Sequence, residues 1–195
     1  MRTLAELQRL DAGHGFTAPD GSHPFRGKGV RIPTLAALLA AHPDVPINVE
    51  IKQSEPPIED AVVAVLDRFD ARSRTLLAAE REPLLLRIRA AAPGVLSGSC
   101  AEEVAEFVDR LHSRRLAGWR LPGAALQVPP SYGDIDIVTA ASVAAAHALG
   151  VEVHVWTIND EAEMEALLDL GVDALMTDFP ERAMGVLRRR GLRAS

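Results

Sequence analysis

From Pro33 to the C-terminus the chain alternates short apolar runs with amphipathic segments of helical length, and this rhythm limits the folds open to it more than any other feature. The apolar runs read as strands over 47–52, 75–79, 94–97, 124–128, 151–157 and 172–176. Apolar residues at helical spacing predict helices over 34–41, 58–69, 82–91, 99–114, 140–149 and 161–170, with a last one opening at Pro180. Pro43, Pro93, Gly94, Gly150 and Gly171 punctuate them, and Ser99 to Glu102 reads as an S-x-x-E capping box. Strands that alternate with helices through short loops build parallel βαβ units. Ahead of this region, residues 1–10 read as one short helical run with Leu4, Leu7 and Leu10 on a common side. Residues 11–32 form a long irregular loop rich in Gly, Pro, Asp and Ser, of the kind that is functional or disordered.

Six parallel strands leave a choice between an open doubly wound sheet and a barrel. No Gly-rich phosphate loop follows any strand, so the dinucleotide-binding version of the open sheet has no support. In a barrel, polar residues gather at the C-terminal ends of the strands. Glu50, Lys52, Gln127, Trp156, Asn159, Thr177 and Asp178 all fall there.

The stretch PINVEIKQ, residues 46–53, carries the sharpest chemical signal. As a strand it sends Ile47, Val49 and Ile51 to one face and Asn48, Glu50 and Lys52 to the other. Glu50 and Lys52 then lie about 7 Å apart along the strand, two opposite charges that are costly to bury and that suit an oxyanion or a metal. The other readings are an internal ion pair, or an antiparallel strand with one wet face. Strand 151–157 repeats the pattern, with Val151, Val153 and Val155 on one face and Glu152, His154 and Trp156 on the other. Trp156, nearest the C-terminal end, offers an aromatic wall beside a lysine and a carboxylate. His154 lies one layer deeper, where a hydrogen-bonded core role is expected. Asp178, just before Pro180, suits a helix start. His14 and His23 sit in the irregular loop without a second ligand at metal-binding spacing.

Composition narrows the function classes. A formal charge of −6 argues against nucleic acid, and the one dense basic run, Arg188 to Arg190, matches a helix C-terminus. No apolar run approaches the roughly 20 residues of a spanning helix. No secretory signal opens the sequence, so a cytoplasmic location is the expectation, with a leader lost by truncation as the other possibility. The single cysteine, Cys100, fits a reducing compartment and reads as a bystander at a helix start. Only Lys28 and Lys52 among the 21 basic residues are lysines, which hints at a compact ammonium at position 52.

The block ALQVPPSYGDIDIVTAASVAAAHALGVEVHVWTINDEAEMEALLDLGVDALMTDFPE, with RIPTLAALLAAHPDVPINVEIK and LDAGHGF…PFRGKG before it, resembles the glycerophosphodiester phosphodiesterase family over essentially the whole chain. The resemblance implies a (β/α)8 TIM barrel that hydrolyses glycerophosphodiesters, such as glycerophosphocholine, to an alcohol and glycerol 3-phosphate with a divalent cation, often Ca²⁺ or Mg²⁺. It implies that Glu50 is a metal ligand, that Lys52 lies close to the substrate phosphate and that Trp156 lines the substrate pocket. The family also opens with a His-Arg strand, a Glu-x-Asp strand and a His-Asp pair that carry its two catalytic histidines and its other acidic metal ligands. None of these is matched here, and His14, His23 and His154 sit in no equivalent motif. The expectation is therefore one domain over 1–195 in the form of an incomplete barrel, whose six strands are the third to eighth of the family's. Such a chain, a truncated product or the result of a misplaced start codon, would hold its cation weakly, be inactive alone and associate through its open edges. The alternative is a non-enzymatic remnant that binds a phosphorylated ligand or pairs with a chain supplying the first two strands.

Overall fold

The computed structural model describes residues 2–18 and 20–192, which fall into two compact units. In the first, drawn from residues 1–45 and 61–71, α1 spans only Leu4–Leu7. A capping box starts it, with the Thr3 side chain accepting from the Glu6 N–H and the Glu6 carboxylate accepting from the Thr3 N–H at 2.6 Å. The helical run expected over 1–10 stops early because its leucine side finds no core. Leu4 and Leu10 are exposed, and residues 9 and 10 close i→i−3 turns instead; Met1 lies outside the described residues.

The described part of loop 11–32 has no helix or strand, yet it is well tied. Asp11 accepts from the N–H groups of Gly13 at 3.1 Å and Gly27 at 2.8 Å, the Ala12 N–H reaches the Val30 carbonyl, and the Phe16 and Phe25 rings meet edge to face at 5.0 Å. Gly13 is required, since a Cβ there would sit 2.4 Å from the Phe25 carbonyl oxygen. The Gly27 N–H holds the Asp11 carboxyl below the usual range, with the Gly13 N–H, His14 and Arg31 adding to the effect. A depressed folded-state value contributes stability that is present above the unfolded carboxyl's range, about 3.9, and is lost as pH falls through the folded value. An NMR titration should therefore give Asp11 a midpoint below 3.9, with the Gly27 amide shift following it; a midpoint above that would contradict the anchoring role. The unit continues with α2 (Leu35–Ala41), capped by Thr34 and ended before Pro43, and with the part of α3 (Glu59–Arg68) from Ala61 onward.

The second unit, residues 46–60 and 72–195, holds the strands. They are β1 (Ile47–Glu50), β2 (Thr75–Ala78), β3 (Leu96–Ser97), β4 (Ala125–Val128), the hairpin β5 (Ser131–Tyr132) and β6 (Ile135–Asp136), β7 (Glu152–Val155) and β8 (Ala174–Leu175). Parallel pairing gives the sheets β1-β2-β3 and β4-β7-β8, and a parallel bridge from Gly98 to Ala125 joins them, so six parallel strands follow one another in chain order. At this seam Gly123 has no room for a side chain, because a Cβ would lie 2.9 Å from the Gly98 backbone. Helices α4 (Glu82–Ala91), α5 (Ala101–His112), α6 (Ala140–Ala148), α7 (Glu161–Leu170) and α8 (Pro180–Arg189) alternate with them. The core of this unit gathers Phe107, Leu126, Val153, Val155, Met164 and Val186, each nearly or fully inaccessible to solvent.

Three local expectations change. The capping box belongs to Cys100 and Glu103, one residue later than expected, because the Glu103 carboxylate reaches back to the Cys100 N–H at 3.3 Å. The Ser99 hydroxyl ends buried without a partner among the described residues. Cys100 is buried, and burial pushes its thiol up, away from nucleophilic character. The segment SYGDID is a β-hairpin and not a loop, with Gly133 at φ 59° making its turn. Arg189 and Arg190 form an ion ladder with Glu161, Glu165 and Asp169 of α7, so these two arginines of the basic run are matched by acids one helix away.

Candidate active site

Strands β1 and β2 run in register, with Glu50 opposite Ala78, and the Ile51 N–H donates to the Ala78 carbonyl at 2.8 Å. The two parallel strands therefore leave the sheet side by side, carrying Lys52 past the C-terminal end of β1 and Glu80 and Arg81 past the C-terminal end of β2. Between them lies a cavity of about 400 Å³ whose walls include Glu50, Lys52, Glu80, Arg81, Arg87 and Glu102. Its three cations and three carboxylates balance. Glu50 and Lys52 do share a face, with the ammonium 3.2 Å from the carboxylate. They are not desolvated, however, as their side chains are 42% and 80% exposed. The burial cost expected for this pair is not incurred, because Lys52 stands beyond the last paired residue of β1 and the Asn48–Glu50 face is open to water. An exposed pair of this kind adds little stability.

The remaining charges are held more firmly. Arg87 donates to the buried Glu59 carboxylate at 2.5 Å and to the Ser54 carbonyl at 3.1 Å, and it holds the Glu59 carboxyl below the usual range. Glu102 accepts from the Glu82 N–H at 3.2 Å; its own backbone N–H, then that of Glu82, then Arg81 hold it below the usual range too. Sequence reasoning passed over Glu80, Arg81, Arg87 and Glu102. Glu80 and Arg81 follow β2 directly, so the rule that chemistry gathers where parallel strands end would have found them.

Trp156 is not in the wall of this cavity. It stands at the end of β7, 42% exposed, with its backbone N–H donating to the Val128 carbonyl at 3.1 Å. His154 has the hydrogen-bonded role expected of it, with Nε2 2.8 Å from Glu152 and Nδ1 3.4 Å from the Gln127 amide. His23 is tied to the Phe16 carbonyl at 2.8 Å, and His14 is exposed in the loop. Asn159, Thr177 and Asp178 meet at the ends of β7 and β8: the Asn159 Oδ1 accepts from Thr177 Oγ1 and from the Asp178 N–H, while its Nδ2 donates to Asp178 Oδ2 at 3.0 Å. Asp178 thus locks two loops together rather than capping α8, whose N-cap is Phe179.

The described residues would hold a divalent cation only weakly. Hard cations take about six or more oxygen ligands, and among the described residues no group of three or more His, Cys, Asp or Glu is placed to hold a metal. Glu50 is paired with Lys52 in an exposed contact that a cation would have to displace. Calorimetric titration with Ca²⁺ or Mg²⁺ should show affinity no better than about millimolar, and micromolar binding lost in Glu50→Gln would contradict this.

A row of parallel strands alternating with helices, with charged and polar side chains at the strands' C-terminal ends, makes this an α/β fold similar to the TIM-barrel kind. The sequence model of the glycerophosphoryl diester phosphodiesterase family matches residues 2–182, and the chain belongs to this family. It is 32% identical over 172 residues to a Mycobacterium tuberculosis protein named Probable glycerophosphodiester phosphodiesterase 2, covering 85% of this chain and 63% of that protein, so it spans less than two thirds of that relative. Its fold is similar to the crystal structure of a glycerophosphoryl diester phosphodiesterase domain from the same species, with a TM-score of 0.77 over 96% of this chain and 75% of that one at 19% identity. It is also similar, at a TM-score of 0.66 and 25% identity, to an Oleispira antarctica phosphodiesterase in complex with sn-glycerol 3-phosphate, over 95% of this chain and 70% of that one. No helix among the described residues is long and apolar enough to cross a membrane.

Proposed function

We propose that the chain carries the phosphate-holding side of a glycerophosphodiester phosphodiesterase site in six strands of an incomplete barrel, with Lys52 on a phosphate oxygen, Glu50 as one carboxylate toward a weakly held cation, and Trp156 toward the rest of the substrate. One observation carries the reading: Lys52 and Glu50 share one cavity at the C-terminal end of β1, in a chain matched by the family almost throughout. Among the described residues the exposed ammonium is held only by an ion pair that water competes for, so an incoming phosphate can displace Glu50 at small cost. The reaction is the hydrolysis of a glycerophosphodiester to an alcohol and glycerol 3-phosphate, and these 195 residues alone perform it negligibly.

A second reading is favoured by the strand order. Among the described residues β1 pairs only with β2, and β8 only with β7. Strand edges left in this way are templates for another chain, which accords with a non-enzymatic binder of phosphorylated ligands that associates through those edges. Calorimetric titration with sn-glycerol 3-phosphate tests what the two readings share. Binding that Lys52→Ala weakens about tenfold or more is the expected result, and no binding, or binding indifferent to Lys52, would overturn it.

A further inference from the structure

Lys52 is not the only loosely held cation in its cavity. Of the three there, Arg87 is committed to Glu59 and Ser54. Arg81 is different. Among the described residues its one ionic neighbour is Glu102, at 3.6 Å, beyond hydrogen-bond length, and its side chain is 70% exposed. Glu102 in turn is occupied by the Glu82 N–H.

Arg81 also stands where a cation is out of place. It is the N-cap of α4, a ten-residue helix, in extended backbone conformation and without a side-chain cap. That position favours Ser, Thr, Asp or Asn, and the positive end of the helix dipole disfavours a guanidinium. Departures from such local rules gather at functional or strained sites, and Arg81 makes one in the wall of a cavity. An anion bound there would reverse the sign of the argument, because the guanidinium fork, the helix end and the Lys52 ammonium would then all act on it.

We propose that Arg81 is a second phosphate-holding side chain beside Lys52, and that the pair makes this site prefer a phosphate monoester dianion, such as sn-glycerol 3-phosphate, over a phosphodiester. The inference rests on the phosphate-binding reading given above. Lys52 supplies a compact point charge and Arg81 a planar fork that can take two oxygens at once. A monoester carries about −1.5 to −2 charges near pH 7, with its second ionisation near pH 6, whereas a diester carries one. Two cations discriminate between these charges more strongly than one does.

The test is calorimetric titration of the 195-residue chain with sn-glycerol 3-phosphate and with glycerophosphocholine, for wild type, Arg81→Gln, Arg81→Lys and Lys52→Ala. Circular dichroism reports whether each variant keeps its fold. Wild type should bind the monoester several-fold more tightly at pH 8, and the preference should shrink at pH 5. Arg81→Gln should weaken monoester binding about tenfold while changing diester binding little, and Arg81→Lys should recover part of the loss. If Arg81→Gln binds both ligands as wild type does while Lys52→Ala loses them, the Arg81 proposal fails and the phosphate site stands. Equal loss of both ligands in a folded Arg81→Gln would also defeat the proposed preference. Absence of binding to wild type would defeat both readings together.

Discussion

Incubated with glycerophosphocholine and either Ca²⁺ or Mg²⁺, these 195 residues are expected to release glycerol 3-phosphate at least about 10⁴-fold more slowly than a competent phosphodiesterase. General acid and general base steps contribute typically 10²- to 10⁴-fold each, and among the described residues no imidazole stands near Lys52 to supply either. Among the described residues no histidine lines the cavity that holds Glu50 and Lys52. His154 has both ring nitrogens engaged by Glu152 and Gln127, His147 lies on Asp173, and His23 is tied to backbone. A carboxylate could stand in for an imidazole, but Glu50 is paired with Lys52 and Glu102 is kept low by its N–H donors, which leaves Glu80 as one group where an acid and a base are both needed. An enzymatic rate in a coupled assay for glycerol 3-phosphate, abolished by Lys52→Ala, would show that acid and base come from residues not recognised as such.

The second large effect concerns the seam between the two three-stranded sheets. Arg89 of α4 donates to Ser97 Oγ at 2.9 Å, to the Gly98 carbonyl at 3.1 Å and to both oxygens of Glu103, at 2.5 and 3.0 Å. Gly98 is the residue that bridges to Ala125, and Glu103 is buried beneath, its side chain 9% exposed. Arg89→Met removes four hydrogen bonds and strands that carboxylate away from water. Breaking a buried pair in this way costs about 3–5 kcal/mol; with Arg89 itself 21% exposed, some water can follow, which points to about 3 kcal/mol. Removing Glu103 as well, in Arg89→Met with Glu103→Leu, should recover much of the loss, since two apolar residues in place of a buried pair are often tolerated. Urea unfolding of wild type and the two variants measures this, and a loss below about 1 kcal/mol for Arg89→Met would mean that the ion pair is no more than a surface contact.

Much of the architecture was legible because parallel strands impose a simple grammar. Gly171, Pro180 and Thr34 mark helix ends where the dihedral demands of those ends put them, and Val151, Val153 and Val155 show one buried face because helices cover it. What failed to show was side-chain geometry. The alternation in PINVEIKQ correctly put Glu50 and Lys52 on one face, but it could not reveal that β1 ends at Glu50 and leaves Lys52 in water. Arg81 and Glu102 come together from segments about twenty residues apart, and no local pattern encodes their meeting. Asp11 is an ordinary loop acid in sequence, yet it closes a sixteen-residue span onto the Gly27 amide. The hairpin at Ser131–Tyr132 is too short for alternation to register, and Ser99 and Cys100 compete for one cap that only the position of Glu103 decides.

The most direct test of the whole account is to locate a phosphate ligand on the folded chain. Amide ¹H–¹⁵N spectra titrated with sn-glycerol 3-phosphate should shift at Ile51, Lys52, Ser54, Glu80 and Arg81, where β1 and β2 end around one cavity. Saturating shifts at those residues, lost in Lys52→Ala, are the predicted result. Shifts confined to the Arg188–Arg190 stretch, or no saturable change anywhere, would contradict it.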